Sequence, residues 1–232
     1  MASIALIGPD GAGKTTLTRM LADSGILRFK PIYMGIDVGA SNVALPTSRL
    51  AERIKTRLLR RRGGATGGAA AGSPSRQRHG LRRAAWVTLR LVNRLADEWY
   101  RQSVSWWYQS RGYTVLYDRH FVFDFALEVA GNPNETVDRR LHRWSLRHLY
   151  PRPSLVIFLD APGNLLFARK GELTPEELER RRQAFLEVGR GLPAFVRVDA
   201  TRPLPEVYSE VVGCVMRSFS ERRRTAAGEA AR

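Results

Sequence analysis

The chain has 232 residues, 44% of them hydrophobic and 9% aromatic, which suits one α/β domain with a sizeable core and is short for two. That composition excludes an intrinsically disordered protein, the single cysteine excludes an intrachain disulfide, and no run reaches the roughly 18 apolar residues a spanning helix needs. The formal net charge is +16, and it is unevenly placed: Arg49–Arg83 holds eleven Arg or Lys against one acid, Glu52. With no basic leader ahead of the first strand-like run, the expected location is cytoplasmic, and peripheral contact with a membrane surface stays open.

In chain order, Ile4–Ile7 is the first predicted strand. A helix follows from about Lys14 to Ser24 and stops at Gly25. Pro31–Met34 is the second strand. Arg60–Gly80 is rich in Gly, Ala and Arg without periodicity and reads as a disordered or mobile insertion. Leu81–Ser110 then reads as one long helix. Its apolar side carries Trp86, Leu89, Val92, Ala96 and Trp99, and Arg83, Arg90, Arg94 and Arg101 form a basic stripe on another side. Tyr113–Tyr117, Leu155–Leu159 and Ala194–Val198 are the remaining strands, with a helix over Glu135–Tyr150 between the first two of them. Residues from Glu221 onward read as a fraying tail, which leaves a domain over 1–220. Strands alternating with helical patterns predict an α/β fold in three layers, a five-stranded parallel sheet covered on both faces.

The strongest chemical signal is Gly8-Pro9-Asp10-Gly11-Ala12-Gly13-Lys14-Thr15, which fits G-x-x-x-x-G-K-[ST] between a strand and a helix. Glycines let the backbone curl so that its N–H groups wrap a phosphate, and the following helix aims its positive end inward. Lys14 then reaches the β- and γ-phosphates of ATP, and the Thr15 hydroxyl ligates magnesium. Asp10 beside a triphosphate would be repelled unless it faced away, so it is expected to point toward an acceptor hydroxyl; the competing reading is a residue chosen for turn geometry.

Asp118 and Asp160 each close an apolar strand, which places them at the ligand-binding edge of an open parallel sheet. Asp118 is expected to hold magnesium through water, and Arg119 to clamp an anionic acceptor or the transferring phosphoryl group. Asp160 reads equally well as the cap of the next helix. Arg169-Lys170 and Arg180-Arg181-Arg182 flank a short loop, and Thr174, Pro175 and Glu177 make a capping box. This segment reads either as a lid that brings an arginine to the γ-phosphate or as a solvated charged helix. His79, His120, His142 and His148 show no metal-ligand spacing.

Together these residues resemble the thymidylate kinase family of P-loop nucleoside monophosphate kinases. Gly8–Thr16 is similar to its phosphate loop, Asp118-Arg119-His120 to its DR[YH] motif, Leu159-Asp160 and Arg182–Glu187 to its lid region, and Val198–Leu204 to its adenine-side loop. The resemblance implies that Gly8, Asp10, Gly11, Ala12, Gly13, Lys14, Thr15 and Thr16 hold ATP and magnesium, with Thr15 and Asp118 at the metal. It implies that Asp10 meets the acceptor sugar hydroxyl and Arg119 its phosphate. Arg169 and Arg180 would be lid arginines, Ala200 and Arg202 would border the adenine, and Arg101 with Gln102 would echo the family's thymine contacts. It also implies a homodimer through the long helix. The family's Phe-x-Arg-Glu stretch after the second strand is replaced here by Tyr33-Met34-Gly35-Ile36-Asp37, without the arginine.

The leading expectation is an ATP- and magnesium-dependent kinase of dTMP or a related monophosphate. The alternative is a kinase of the same fold acting on a sugar or glycolipid-precursor hydroxyl. A nucleic-acid-binding P-loop ATPase is disfavoured, because Arg119 and Ala161, and not a water-activating Glu, follow the strand-end acids; a GTPase lacks its Asn-Lys-x-Asp motif.

Overall fold

The computed structural model describes residues 2–35, 42–43, 45, 76–130, 136–192 and 194–230, with the backbone alone at 76–86, 90, 126–130 and 226–230. Five strands, β1 (Ser3–Ile7), β2 (Phe29–Tyr33), β3 (Thr114–Asp118), β4 (Leu155–Asp160) and β5 (Phe195–Asp199), form one parallel sheet in the order β2-β3-β1-β4-β5. All five lie within two residues of their predicted bounds. Helices α1 (Lys14–Asp23), α2 (Arg76–Ser110), α3 (Phe121–Ala130), α4 (Val137–His148), α5 (Gly163–Lys170), α6 (Pro175–Arg190) and α7 (Leu204–Ala230) surround it.

Alternation along each strand feeds two cores. Ile4 and Leu6 of β1 join Leu17 and Leu21 of α1 and Val207 and Val211 of α7 on one face. Ala5 and Ile7 point the other way, to Phe121, Phe123 and Phe125 of α3, Leu146 of α4 and Phe185 of α6. This is the expected three-layer fold. It puts the end of β1 at the switch point of the sheet, where the chain leaves β1 for β2 on one side and later crosses from β3 to β4 on the other.

Two long helices depart from their sequence reading. Helix α2 begins at Arg76, ahead of Leu81; the rest of the Arg60–Gly80 insertion, and the side chains of Arg83, Trp86 and Arg90, lie outside the described residues. The described part of α2 is turned over. Leu89 is 60% and Val92 55% exposed, while Asp97, Glu98, Arg101, Gln102 and Ser105 form its buried side. Buried polar groups persist only when partnered, and these mostly are: Arg101 pairs with Asp97, Glu98 meets His142 Nε2 at 2.8 Å, and the Ser105 hydroxyl meets that of Tyr117 at 2.7 Å. Arg101 is therefore not part of an exposed basic stripe. At the other end of the chain α7 continues to Ala230, so the described part of the segment read as a tail is helical.

Candidate active site

The loop from Gly8 to Gly13 crosses the carboxyl edge of the sheet. Gly11 adopts φ +87°, and a Cβ there would lie 2.7 Å from the Leu166 carbonyl oxygen, so the turn requires glycine twice over. Gly13 caps α1, whose first residues Lys14, Thr15 and Thr16 line the loop. Lys14 is 7% exposed, and its Nζ donates to the carbonyls of Gly8 and Pro9, both at 2.8 Å. Burial and the nearby Arg119 lower its pKa to about 8, against the opposing pull of Asp10, Asp118 and Asp124.

Thr15 Oγ1 donates to Asp118 Oδ2 at 3.0 Å. A hydroxyl and a carboxylate so placed fit a magnesium ion that keeps several waters and takes few protein ligands. Among the described residues no cluster of three or more His, Cys, Asp or Glu forms a fuller cage.

Arg119 follows Asp118 with a left-handed backbone, φ 69°. Such a conformation costs a non-glycine residue about 1–3 kcal/mol and marks a constrained position. It sends consecutive side chains apart, Arg119 to the loop and His120 into the interior. Arg119 pairs with Asp10 and lies 4.0 Å from Asp124. Two further cations converge on Asp10: Arg181 at 3.4 Å and Lys170 at 4.0 Å. Burial alone would raise the Asp10 carboxyl, but Arg119, Lys14, Lys170 and Arg181 outweigh it and hold it below the usual carboxylate range.

Not every expected residue gathers here. Arg180 is 60% exposed and pairs with Glu177 one turn back, and the neighbouring Arg181 is the one that faces the loop. Arg169 reaches the other way, donating to the Ala200 carbonyl at 2.8 Å, which joins α5 to the loop after β5. Arg202 of that loop is tied to Glu210. Arg101 is 1% exposed and donates to the Gly35 carbonyl at 2.8 Å; Gln102 is equally buried. Asp160 is not a helix cap but a buried anchor, held by Arg182 at 2.5 Å and Arg197 at 2.5 Å. Of the expected capping box the N-cap half forms, with Thr174 Oγ1 accepting from Glu177 N at 3.2 Å, while the Glu177 carboxylate turns to Arg180 and Arg181.

Sequence reasoning missed Lys170 and Arg181 as partners of Asp10. A signal was present in their placement: Lys170 ends α5 and Arg181 lies in the second turn of α6, and both reach Asp10 in the loop between β1 and α1.

No protein-family model matches the chain, and no curated protein matches it in sequence. Among solved structures it is similar to deoxyadenosine kinase from M. mycoides with bound dATP, at 13% identity and a TM-score of 0.55, over 93% of this chain and 99% of that one. Identity that low speaks for the architecture: the chain has a P-loop kinase-like α/β fold.

Proposed function

We propose that the chain is a magnesium-dependent phosphotransferase that passes the γ-phosphoryl group of ATP to an uncharged, hydroxyl-bearing small molecule of the nucleoside or sugar class. The observation that carries this reading is the cluster at the loop: Thr15 on Asp118, and three cations from three elements converging on Asp10. Thr15 and Asp118 would hold magnesium, which would supply neutralisation of the phosphate charge. Lys14 exchanges its two carbonyl partners for the β- and γ-phosphates, and Arg119, Arg181 and Lys170 are in reach of the transferring group. Asp10 accepts the hydrogen bond of the acceptor hydroxyl and takes its proton as the new O–P bond forms and the bond from phosphorus to the β–γ bridging oxygen breaks. Arg169 and Ala200 border the adenine side.

The acceptor's charge class rests on the ion pairs. On that side Arg101 is matched by Asp97, and Arg119 lies between Asp10 and Asp124. The strand-two arginine of the thymidylate kinase pattern is absent, and Gly35 leaves no room for a side chain beside Tyr33 and Asp124. A site with its cations already matched suits a neutral acceptor. The structural neighbour's own description, a deoxyadenosine kinase, agrees with a nucleoside. A nucleoside monophosphate such as dTMP is the second reading, favoured by Arg119, which keeps 28% of its side chain exposed.

ADP release with magnesium-ATP, measured against nucleosides, sugars, dTMP and other monophosphates, tests both. Turnover with an uncharged acceptor and silence with monophosphates is the expected result. Brisk turnover with dTMP moves the protein to the second reading, and ADP release with none of them removes the kinase assignment.

A further inference from the structure

Helix α4 is built inside out. Its inward side holds His142, Ser145 and Leu146, with His142 bonded to Glu98 of α2. Its outward side holds Val137 (74% exposed), Leu141 (52%) and Trp144 (51%), spaced i, i+4, i+7 along one stripe. His148 extends the stripe, stacked on Trp144 with ring centroids 5.3 Å apart. Past the helix end Leu149 is also 52% exposed. Water gains nothing from such a stripe, and contiguous exposed apolar surface of this kind marks a contact site.

Charge decides what covers it. The helix carries Arg139, Arg140, Arg143 and Arg147 against one acid, Asp138. Arg139 and Arg143 have contacts of their own; Arg140 and Arg147 are exposed, with no side-chain partner among the described residues. A second copy laid face to face would set its own Arg140 and Arg147 against the same two cations. A sheet of anionic headgroups matches both. Tryptophan and leucine on a helix flanked by arginine is the composition that settles at a lipid–water boundary, and a chain of net charge +16 is drawn there from a distance. No helix among the described residues is long and apolar enough to cross a membrane.

We propose that the outward face of α4, from Val137 to Leu149, is a peripheral docking surface for an anionic lipid bilayer. The contact lies parallel to the membrane, with Leu141 and Trp144 in the interfacial layer and Arg140 and Arg147 on headgroup phosphates.

The test is co-sedimentation of the full-length protein with vesicles of phosphatidylcholine alone and of equal parts phosphatidylcholine and phosphatidylglycerol. It needs neither ATP nor an acceptor, so its outcome stands apart from the kinase reading. Binding to the mixed vesicles alone is expected. The Arg140→Glu/Arg147→Glu variant should then bind at least about thirtyfold more weakly, at the usual contribution of each basic residue near an anionic surface. Leu141→Ser/Trp144→Ser should also lose binding, with both variants melting at the wild-type temperature. Three results overturn the proposal. They are no binding to mixed vesicles, wild-type binding by both variants, which moves the attraction to another basic part of the chain, and a wild-type dimer that Leu141→Ser/Trp144→Ser converts to monomer, which gives the face to a second copy.

Discussion

The loop edge of the sheet and the seam between α2 and α4 both bury charged residues, and they treat them in opposite ways. At the seam each ion finds a partner within the protein: Asp97 takes Arg101 and the Leu45 amide, and Glu98 takes His142 while its backbone carbonyl accepts from Tyr150. At the loop edge Lys14, Arg119, Lys170 and Arg181 gather around Asp10, and Lys14 makes do with backbone carbonyls. A buried pair that is complete holds a structure in register. A buried lysine held only on backbone carbonyls is set for an anion that the protein itself does not supply. The same residue types thus serve packing in one place and chemistry in the other, and the partner of the buried cation tells them apart.

The largest effect that would break this contrast is at Lys14. Lys14→Ala should lower phosphoryl transfer on the order of 10³-fold or more while leaving the fold intact; near-normal turnover would remove the loop from the chemistry. At the seam the expectation reverses. Arg101→Leu strands the Asp97 carboxylate in the interior and should cost about 3–5 kcal/mol of stability in urea unfolding, with turnover per folded molecule changed only a few-fold. A large loss of turnover at wild-type stability would make Arg101 an acceptor residue after all.

His120 tests the interior beside the loop edge. It is fully buried among Tyr117, Phe121, Phe123 and Tyr150, neither ring nitrogen has a hydrogen-bond partner among the described residues, and burial lowers its pKa to about 3. A folded-state value below the unfolded 6.5 gives stability that is complete above pH 6.5 and is lost as pH falls toward 3. The loss at pH 5 should be about 2 kcal/mol. His120→Phe should flatten that part of the stability–pH curve, and an unchanged curve would mean the imidazole finds a partner or water on protonation.

A further pH effect lies in the loop itself. With Lys14 near 8 in the free protein, magnesium-ATP affinity measured by calorimetry should fall as pH rises above 8, by at most about tenfold per unit. Binding there should take up a proton, because phosphates favour the charged lysine. A flat affinity from pH 7 to 10 would show that the lysine is charged throughout. The smallest effect separates neighbours on α6. Arg180→Ala should leave turnover within about twofold, as expected for an exposed pair, whereas Arg181→Ala, which removes a partner of Asp10, should lower it measurably.

The sequence by itself determined the sheet and the loop. Apolar runs of four to six residues between helical segments are self-declaring, and Gly8–Thr15 works through backbone amides whose arrangement depends on glycine spacing alone. Asp118 and Arg119 were legible for the same local reason, as residues at the end of a strand. The helix cap at Thr174 was legible because its two partners are three residues apart. Hydrophobic periodicity, by contrast, marked the sides of α2 but could not say which of them faces in. Leu89 and Val92 turn outward because Asp97, Glu98, Arg101 and Ser105 find partners on α2 itself, α4, β3, Leu45 and Gly35, up to 66 residues away. Which arginine of Arg180-Arg181-Arg182 meets the loop was likewise a matter of helix phase against a distant carboxylate, 171 residues from Arg181. Local geometry is written in neighbouring residues; the pairing of buried charges is written only in the packing that brings them together.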